Sequence, residues 1–363
     1  MFSYQADTPG IRVTLSKNDT LVLKALAIFL VVGHNFFHFL PPVAGENEMV
    51  FSPEHIRNVL SFVLANPLDM LHPVFSFFGH YGVHIFIFLS AYGLTKKCLS
   101  MKDQDWQALY AVSVNKIFKI VKLTLLGLVF LCAYKALVLG DALTGDFFLK
   151  YLKFLTFTEN LRPGKLYYFV SVWWFLALIV QFYLLFPLIY RLATKASDKL
   201  FFAICAGTIL ISAASYSFLL EHQIYVYATP LGQFSVFALG AYLATGKAVP
   251  KVLALALLLL LPFSFAYETL FHVSFVAIVL SAVIAYERFL SQKLSGNALL
   301  LWFGQLSMYV YIVHGDLRWM LINRIENIES LFLNYVVFGG FFLEVVFFAY
   351  LCSLVAKRVA LFR

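Results

Sequence analysis

The chain has 363 residues, of which 62% are hydrophobic, 18% aromatic and only 13% charged. Soluble domains average about 45–50% apolar and about 25% charged residues, so this composition excludes an ordinary soluble protein and predicts a polytopic membrane protein. The formal net charge of +8 fits basic residues gathered on cytoplasmic loops, and we expect no nucleic acid partner.

Apolar runs long enough to cross a bilayer recur along the whole chain. We predict about ten transmembrane helices, near residues 20–40, 76–95, 114–139, 168–190, 200–219, 226–245, 250–267, 270–288, 300–322 and 331–356. The period-two alternation of a transmembrane barrel is absent, so the predicted fold is an all-α polytopic membrane helix bundle. No linker divides the chain, which predicts a single integral-membrane domain over residues 1–363.

Most of the basic residues fall in alternate connecting segments, and the segment 96–122 alone contains six lysines. Lys and Arg collect on cytoplasmic loops, so this asymmetry predicts that both termini lie in the cytoplasm. The long segments 41–75 and 140–167 then face the opposite side. Each either covers a site that opens outward or is a solvated loop without a special role.

The first predicted span contains two ionisable side chains, Lys24 and His34. Such groups are costly inside a bilayer unless they face a bundle interior or a water-filled cavity, which makes them candidates for a functional site. Lys24 can instead extend to the headgroups, and His34 can simply bond a neighbouring helix. If the first span runs from the cytoplasmic side to the outer side, Lys24 would lie near the cytoplasmic face and His34 near mid-membrane. An elongated substrate could then place a phosphate at Lys24 and a reactive carbonyl at His34.

Other ionisable residues in the apolar runs are weaker candidates. His314, beside Asp316 and Arg318, could be catalytic, bind an acceptor or belong to an interfacial ion pair. His80 and His84 share a helix face, but no Asp, Glu or Cys at ligand spacing completes a metal site, so we expect none.

Four segments in this order resemble the integral-membrane acyltransferase-3 family. The first is Lys24 to His34, similar to the family's first-helix pattern of a basic residue, ten residues and a histidine. The others are residues 82–94 (GVHIFIFLSAYGL), the pair 174–176 (WFL) and 181–187 (QFYLLFP), and residues 307–315 (SMYVYIVHG).

Two departures from the family pattern concern the candidate catalytic residues. Only nine residues separate Lys24 from His34, which turns the two side chains about 80° apart around the helix. Either a local helix irregularity restores a shared face, or another basic group serves. Many members also carry a Glu where this chain has Ile179, so a carboxylate partner for the histidine is missing at that position.

The resemblance implies an O-acyltransferase of the bacterial inner membrane that moves an acyl group from cytoplasmic acyl-CoA to a hydroxyl of a cell-surface or exopolysaccharide glycan. Acetyl-CoA or succinyl-CoA would be the co-substrate, with no bound cofactor, and membrane lipid and the glycan acceptor would be the partners. Oligomeric state stays open. His34 would be the general base.

The remaining site residues follow from the same resemblance. Lys24, Lys116, Lys119 and Lys122 would bind CoA phosphates, although the last three also fit a plain topology signal. The residues expected to bind substrate are Asn35, Ser90, Tyr92, Trp174, Gln181, Tyr183, Tyr311 and His314. Four of them, Gln181, Ser90, Tyr92 and Tyr183, also fit plain hydrogen bonds between helices.

A second hypothesis is a transporter or flippase for a polysaccharide or lipid-linked glycan, with His34, His314 and Glu344 as a proton relay or binding groups. The two halves of the sequence show no matching pair of Gly/Pro-interrupted helices, the pattern that inverted-repeat transporters often carry. Consumption of acyl-CoA would separate the two classes.

Overall fold

The computed structural model describes residues 10–41, 43–140, 142–325 and 330–359, and over these ranges the chain is predominantly α-helical. The one described strand pairing joins Gly10–Ile11 (β1) to Val249–Pro250 (β2) in antiparallel register. The α-helices are Lys17–Phe37 (α1), Pro53–Ala65 (α2), Leu71–Ser76 (α3), Tyr81–Leu99 (α4), Trp106–Tyr134 (α5), Gly145–Phe154 (α6), Trp174–Lys195 (α7), Asp198–Glu221 (α8), Pro230–Ala244 (α9), Lys251–Ser264 (α10), Phe271–Ala285 (α11), Ser291–Leu294 (α12), Ala298–Ile325 (α13) and Leu331–Arg358 (α14).

Seven helical segments in the described ranges are long and apolar enough to cross a membrane, which confirms an all-α polytopic bundle. A helix is present at each of the ten predicted spans. However, α9 and α10 have only 15 and 14 residues, and α4 is not among the seven. The count of ten spans and the cytoplasmic position of the termini therefore stay predictions.

The central helix, α1, packs along α13 and α4 and is covered at one end by α3. Its first turn is fixed by a reciprocal cap, in which Ser16 and Asp19 each accept a hydrogen bond from the other's backbone N–H. The Asp19 carboxylate also accepts hydrogen bonds from Tyr286 (2.9 Å) and Ser291 (2.7 Å). Such caps satisfy the otherwise orphaned amides of a helix start. The position of α1, and of the side chains along it, is thereby tied to the residues that follow α11.

Two glycines near the start of α4 allow that helix to approach α1 closely. A Cβ atom at Gly79 would lie 2.7 Å from the Cβ of His34, and one at Gly82 would lie 2.5 Å from the Ala27 carbonyl oxygen. Real Cβ atoms do not make contacts this short, so these positions need glycine. The contacts also show that α4 runs antiparallel to α1, with the residues just before its first turn at the level of His34.

Candidate active site

One end of the bundle contains a cavity of about 300 Å³ between α1, α4, α5, α7 and α13. Its lining combines three lysines with three hydroxyl side chains, those of Ser90, Tyr183 and Tyr309. The lysines are Lys24, Lys116 and Lys119, all three of them predicted to bind CoA phosphates. The rest of the lining is apolar or glycine: Phe86, Leu89, Gly93, Leu94, Ile120, Leu123, Phe175, Ile179 and Met308.

The charges of this basic cavity have one sign. Lys24, Lys119 and Lys97 each act electrostatically on Lys116, and none of the described lining residues is acidic. Ammonium groups that repel one another in a partly closed pocket attract an anionic ligand, because the ligand supplies the missing counter-charge. The cavity is therefore suited to a phosphorylated molecule.

An aromatic layer lies beyond the basic cavity. Phe86 and Phe175 line the cavity, with their ring centroids 6.3 Å apart. Phe175 lies 5.4 Å from the ring of Tyr311, which lies 5.5 Å from the ring of His314. The Tyr311 hydroxyl donates a hydrogen bond to the Val172 carbonyl. These ring contacts form a continuous aromatic series from the basic cavity to His314.

His34 lies in the last turn of α1. Its side chain is 1% exposed. Nδ1 lies 3.0 Å from the Ser76 carbonyl oxygen. A carbonyl only accepts hydrogen bonds, so the geometry assigns the proton to Nδ1 and leaves the lone pair on Nε2. Nε2 has no hydrogen-bond partner among the described residues.

Two carboxyl groups from the loop after α1 fold back over His34. The nearer oxygen of Glu48 lies 3.8 Å from His34 Nε2, and the Glu48 backbone N–H donates to the Glu46 carboxylate. Burial raises the pKa of both carboxyls, and the pKa of Glu48 is raised further by the neighbouring Glu46. His80, which directly precedes α4, places its ring 5.5 Å from that of His34. We call His34, His80, Glu46 and Glu48 the histidine cluster.

A basic side chain from α13 lies beside this cluster. Arg318 donates to the backbone oxygen of Asn35 (3.2 Å) and to its side-chain oxygen (2.8 Å), and it acts electrostatically on His34 and Glu48. Since α1 is an uninterrupted α-helix from Lys17 to Phe37, no irregularity turns Lys24 toward His34. Arg318 is therefore the basic group that accompanies the histidine.

Several residues predicted to bind substrate make structural contacts instead of lining the cavity. The Tyr92 hydroxyl accepts from the backbone N–H of Leu15 at 2.9 Å. Gln181 donates to the Phe157 carbonyl at 2.7 Å and also bonds Asn160. Trp174 is buried near Phe175, and Lys122 is absent from the described cavity lining.

His314 is fully buried one turn before Arg318, and its Nδ1 lies 2.9 Å from the Tyr311 carbonyl oxygen.

The position at which many family members carry a Glu is not next to His34 in this structure. Ile179, which occupies that position, lines the basic cavity with Lys24. A Glu at that position would face the lysines.

The residues that sequence reasoning missed are Glu46, Glu48, His80 and Arg318 as neighbours of His34. The expectation of no metal site rested on helix spacing, and that reasoning was incomplete, because Glu46 reaches the histidines from a loop. Two acidic residues in one loop are too common a pattern to reveal this contact. Burial of the loop against α1 was the missing information.

Comparisons with known proteins agree with this geometry. A family model described as an acyltransferase domain, that of the acyltransferase-3 family, matches residues 22–356. No curated protein and no solved structure matches the chain. Because the match covers nearly all of the described bundle, this chain belongs to the acyltransferase-3 family and is a multi-pass membrane acyltransferase.

Proposed function

We propose that the protein transfers an acyl group, acetyl or succinyl, from acyl-CoA to a hydroxyl of a cell-surface or exopolysaccharide glycan at the bacterial inner membrane. The observation that carries the proposal is the arrangement along α1, with a basic cavity at Lys24 and a buried histidine with a lone pair at His34. The ten-residue separation corresponds to about 15 Å along the helix. The pantetheine arm of CoA is an extended chain that joins its phosphates to the thioester, and it would have to cover this distance.

The donor binds at the basic cavity. Lys24, Lys116 and Lys119 pair with the CoA phosphates, because ammonium–phosphate contacts are charge-assisted hydrogen bonds. The pantetheine arm and the acyl group pass Phe86 and Phe175 toward His34. The cavity mouth with its lysines belongs to the end of the bundle that the charge distribution predicts to be cytoplasmic, where acyl-CoA is made.

The acceptor hydroxyl reacts at His34. Its proton moves to His34 Nε2 while its oxygen attacks the thioester carbonyl. The carbon–sulfur bond then breaks, and the departing CoA thiolate takes the proton from the imidazolium, which restores the neutral base. The hydrogen bond from Nδ1 to the Ser76 carbonyl holds the ring in the tautomer that accepts this proton. Loss of such a base typically slows a reaction by about 10²–10⁴-fold.

Glu48 is the carboxylate partner for this histidine. It lies 3.8 Å from Nε2. Burial raises its pKa, but the imidazolium that forms as the hydroxyl proton is transferred favours the charged carboxylate, which in turn stabilises that imidazolium. In this chain Glu48, from the loop after α1, thus takes the role of the Glu that many family members carry at the position of Ile179.

The experiment measures release of free CoA and labelled ester when purified protein is given acetyl-CoA or succinyl-CoA, labelled in the acyl group, with a bacterial polysaccharide. Acyl transfer to the glycan with matching release of CoA is the expected result. A protein that leaves both acyl-CoA donors intact but moves a glycan across vesicles would be a transporter, and the proposal would be wrong.

A further inference from the structure

We infer that the histidine cluster is also a binding site for a transition-metal ion of the Zn²⁺ type, and that occupation of this site blocks acyl transfer. One donor atom each from His34, Glu46 and His80 lies within 4.8 Å of the other two. No ion is present in the structure. The inference that binding inhibits rests on the proposed role of His34, whereas the binding itself does not.

The donor atoms are poised for a ligand from outside the chain. His34 and His80 are at most 1% exposed, yet His34 Nε2 and both ring nitrogens of His80 lack hydrogen-bond partners among the described residues. A buried polar atom without a partner carries a desolvation cost of about 1–3 kcal/mol. A metal ion would satisfy these nitrogens directly.

The set of donors fits the chemistry of zinc. Two neutral imidazoles and one carboxylate are the protein ligands of many catalytic zinc ions, with metal–ligand distances of about 2.0–2.2 Å. Tetrahedral bonds of that length put the ligand atoms roughly 3.4 Å apart. The three donor atoms, now within 4.8 Å of one another, would therefore have to move closer together by an ångström or so. Glu46 belongs to a loop, which can make this adjustment. Glu48, at 3.8 Å from His34 Nε2, would supply a second carboxylate to balance the two positive charges of the ion.

The surroundings of His34 also match a metal ligand. Ligating histidines usually donate their second ring N–H to a carbonyl or carboxylate, which fixes the tautomer and raises the basicity of the other nitrogen. The hydrogen bond of His34 Nδ1 to the Ser76 carbonyl is of this kind.

The same lone pair on Nε2 cannot serve a metal and a proton. Coordination would remove the base from the reaction without altering the basic cavity. The site would thus make the enzyme sensitive to free zinc.

Zn²⁺ binding to the purified, chelator-treated protein is measured by calorimetry, together with the visible d–d absorption of bound Co²⁺. We expect one ion per chain, and a dissociation constant at least about tenfold weaker in His80→Gln and in Glu46→Gln. His222→Gln is the matched control, because this histidine is exposed at the far end of α8. Thermal unfolding in detergent verifies that each variant is folded.

The effect on turnover is measured with the same variants. Zn²⁺ should inhibit the wild-type enzyme, a chelator should restore it, and His80→Gln should lose this sensitivity. Stoichiometric binding that is unaffected by both His80→Gln and Glu46→Gln, or no binding above that of an unrelated membrane protein, would refute the site. Activation by Zn²⁺ would refute the competition with His34. Loss of metal binding with intact acyl transfer would leave the proposed function untouched.

Discussion

The basic cavity and the histidine cluster share one helix, but they are assembled in different ways. The cavity draws its charged groups from helices only: Lys24 from α1 and Lys116 and Lys119 from α5. The cluster combines His34 of α1 with Glu46 and Glu48, which belong to the following loop, and with His80, which precedes α4. A site made from helix faces can be recognised from spacing, whereas a site completed by a buried loop cannot. The two sites also differ in chemistry, because the cavity presents ammonium groups and the cluster presents an imidazole lone pair.

The largest effect should come from the cluster. His34→Ala removes the base, so we expect kcat/KM for acyl transfer to fall by about 10²–10⁴-fold. His222→Ala is the control, because that side chain is exposed and bonds only its own helix. Turnover of His34→Ala near the wild-type rate, measured by CoA release, would contradict the assignment.

The second effect concerns the loop that covers the cluster. Glu48→Gln keeps the shape of the side chain but removes a group that can ionise when the imidazolium forms, so kcat should fall by about tenfold, with the KM for acyl-CoA unchanged. Glu54→Gln changes an exposed carboxylate of the next helix and should have no effect. Equal losses in both variants would mean that Glu48 has no particular relation to His34.

Changes in the basic cavity should affect the KM for acyl-CoA rather than kcat. Lys24→Ala removes a phosphate partner, so the KM for acyl-CoA should rise by about tenfold while kcat changes little, and Lys24→Arg should be partly tolerated. Lys199→Ala removes an exposed lysine at the start of α8 as a control. Unchanged acyl-CoA affinity in Lys24→Ala, measured by calorimetry, would mean that Lys24 only extends to the headgroups.

The smallest effect tests the burial of a carboxyl in the segment 140–167. Glu159 is 2% exposed and faces Arg162 at 4.0 Å, and burial raises its pKa from 4.5 to about 7. The folded state therefore binds this proton more tightly than the unfolded state, and stability falls as the pH rises from about 4.5 to about 7. Glu159→Gln should raise the free energy of unfolding by about 1–2 kcal/mol at pH 8 and very little at pH 5.

Thermal midpoints of wild type and Glu159→Gln at the two pH values give the comparison, with Glu54→Gln as the exposed control. A gain for Glu159→Gln that is the same at both pH values would show that ionisation of this carboxyl is not the cause.

Much of this organisation could be predicted from the sequence, because apolar length and charge asymmetry depend on local composition. A helix lies at every predicted span, and Lys24, Lys116, Lys119, Ser90 and Tyr183 meet at one cavity. The contacts of Tyr92 with Leu15 and of Gln181 with Asn160 could not be predicted. A buried hydroxyl or amide in a helix reveals that it has a partner, but not which one.

The neighbours of His34 were unpredictable for a further reason. Segment 41–75 could be a solvated loop or a cover, and only its packing decides between these. In the structure it includes α2 and α3 and buries Asn47 completely. Glu46 and Glu48 flank the buried Asn47 and are themselves half-buried, and this anchoring holds them near the histidines.

The central claim is that donor and acceptor approach α1 from opposite ends, and sealed vesicles with the protein in one orientation test it directly. The orientation is fixed by labelling Ser100→Cys and, on the predicted opposite side, Leu68→Cys, whose native side chains are both exposed. With acyl-CoA supplied only on the Ser100 side and glycan only on the Leu68 side, we expect full acyl transfer, and with the two exchanged we expect none. Transfer that requires both substrates on the same side would contradict the account.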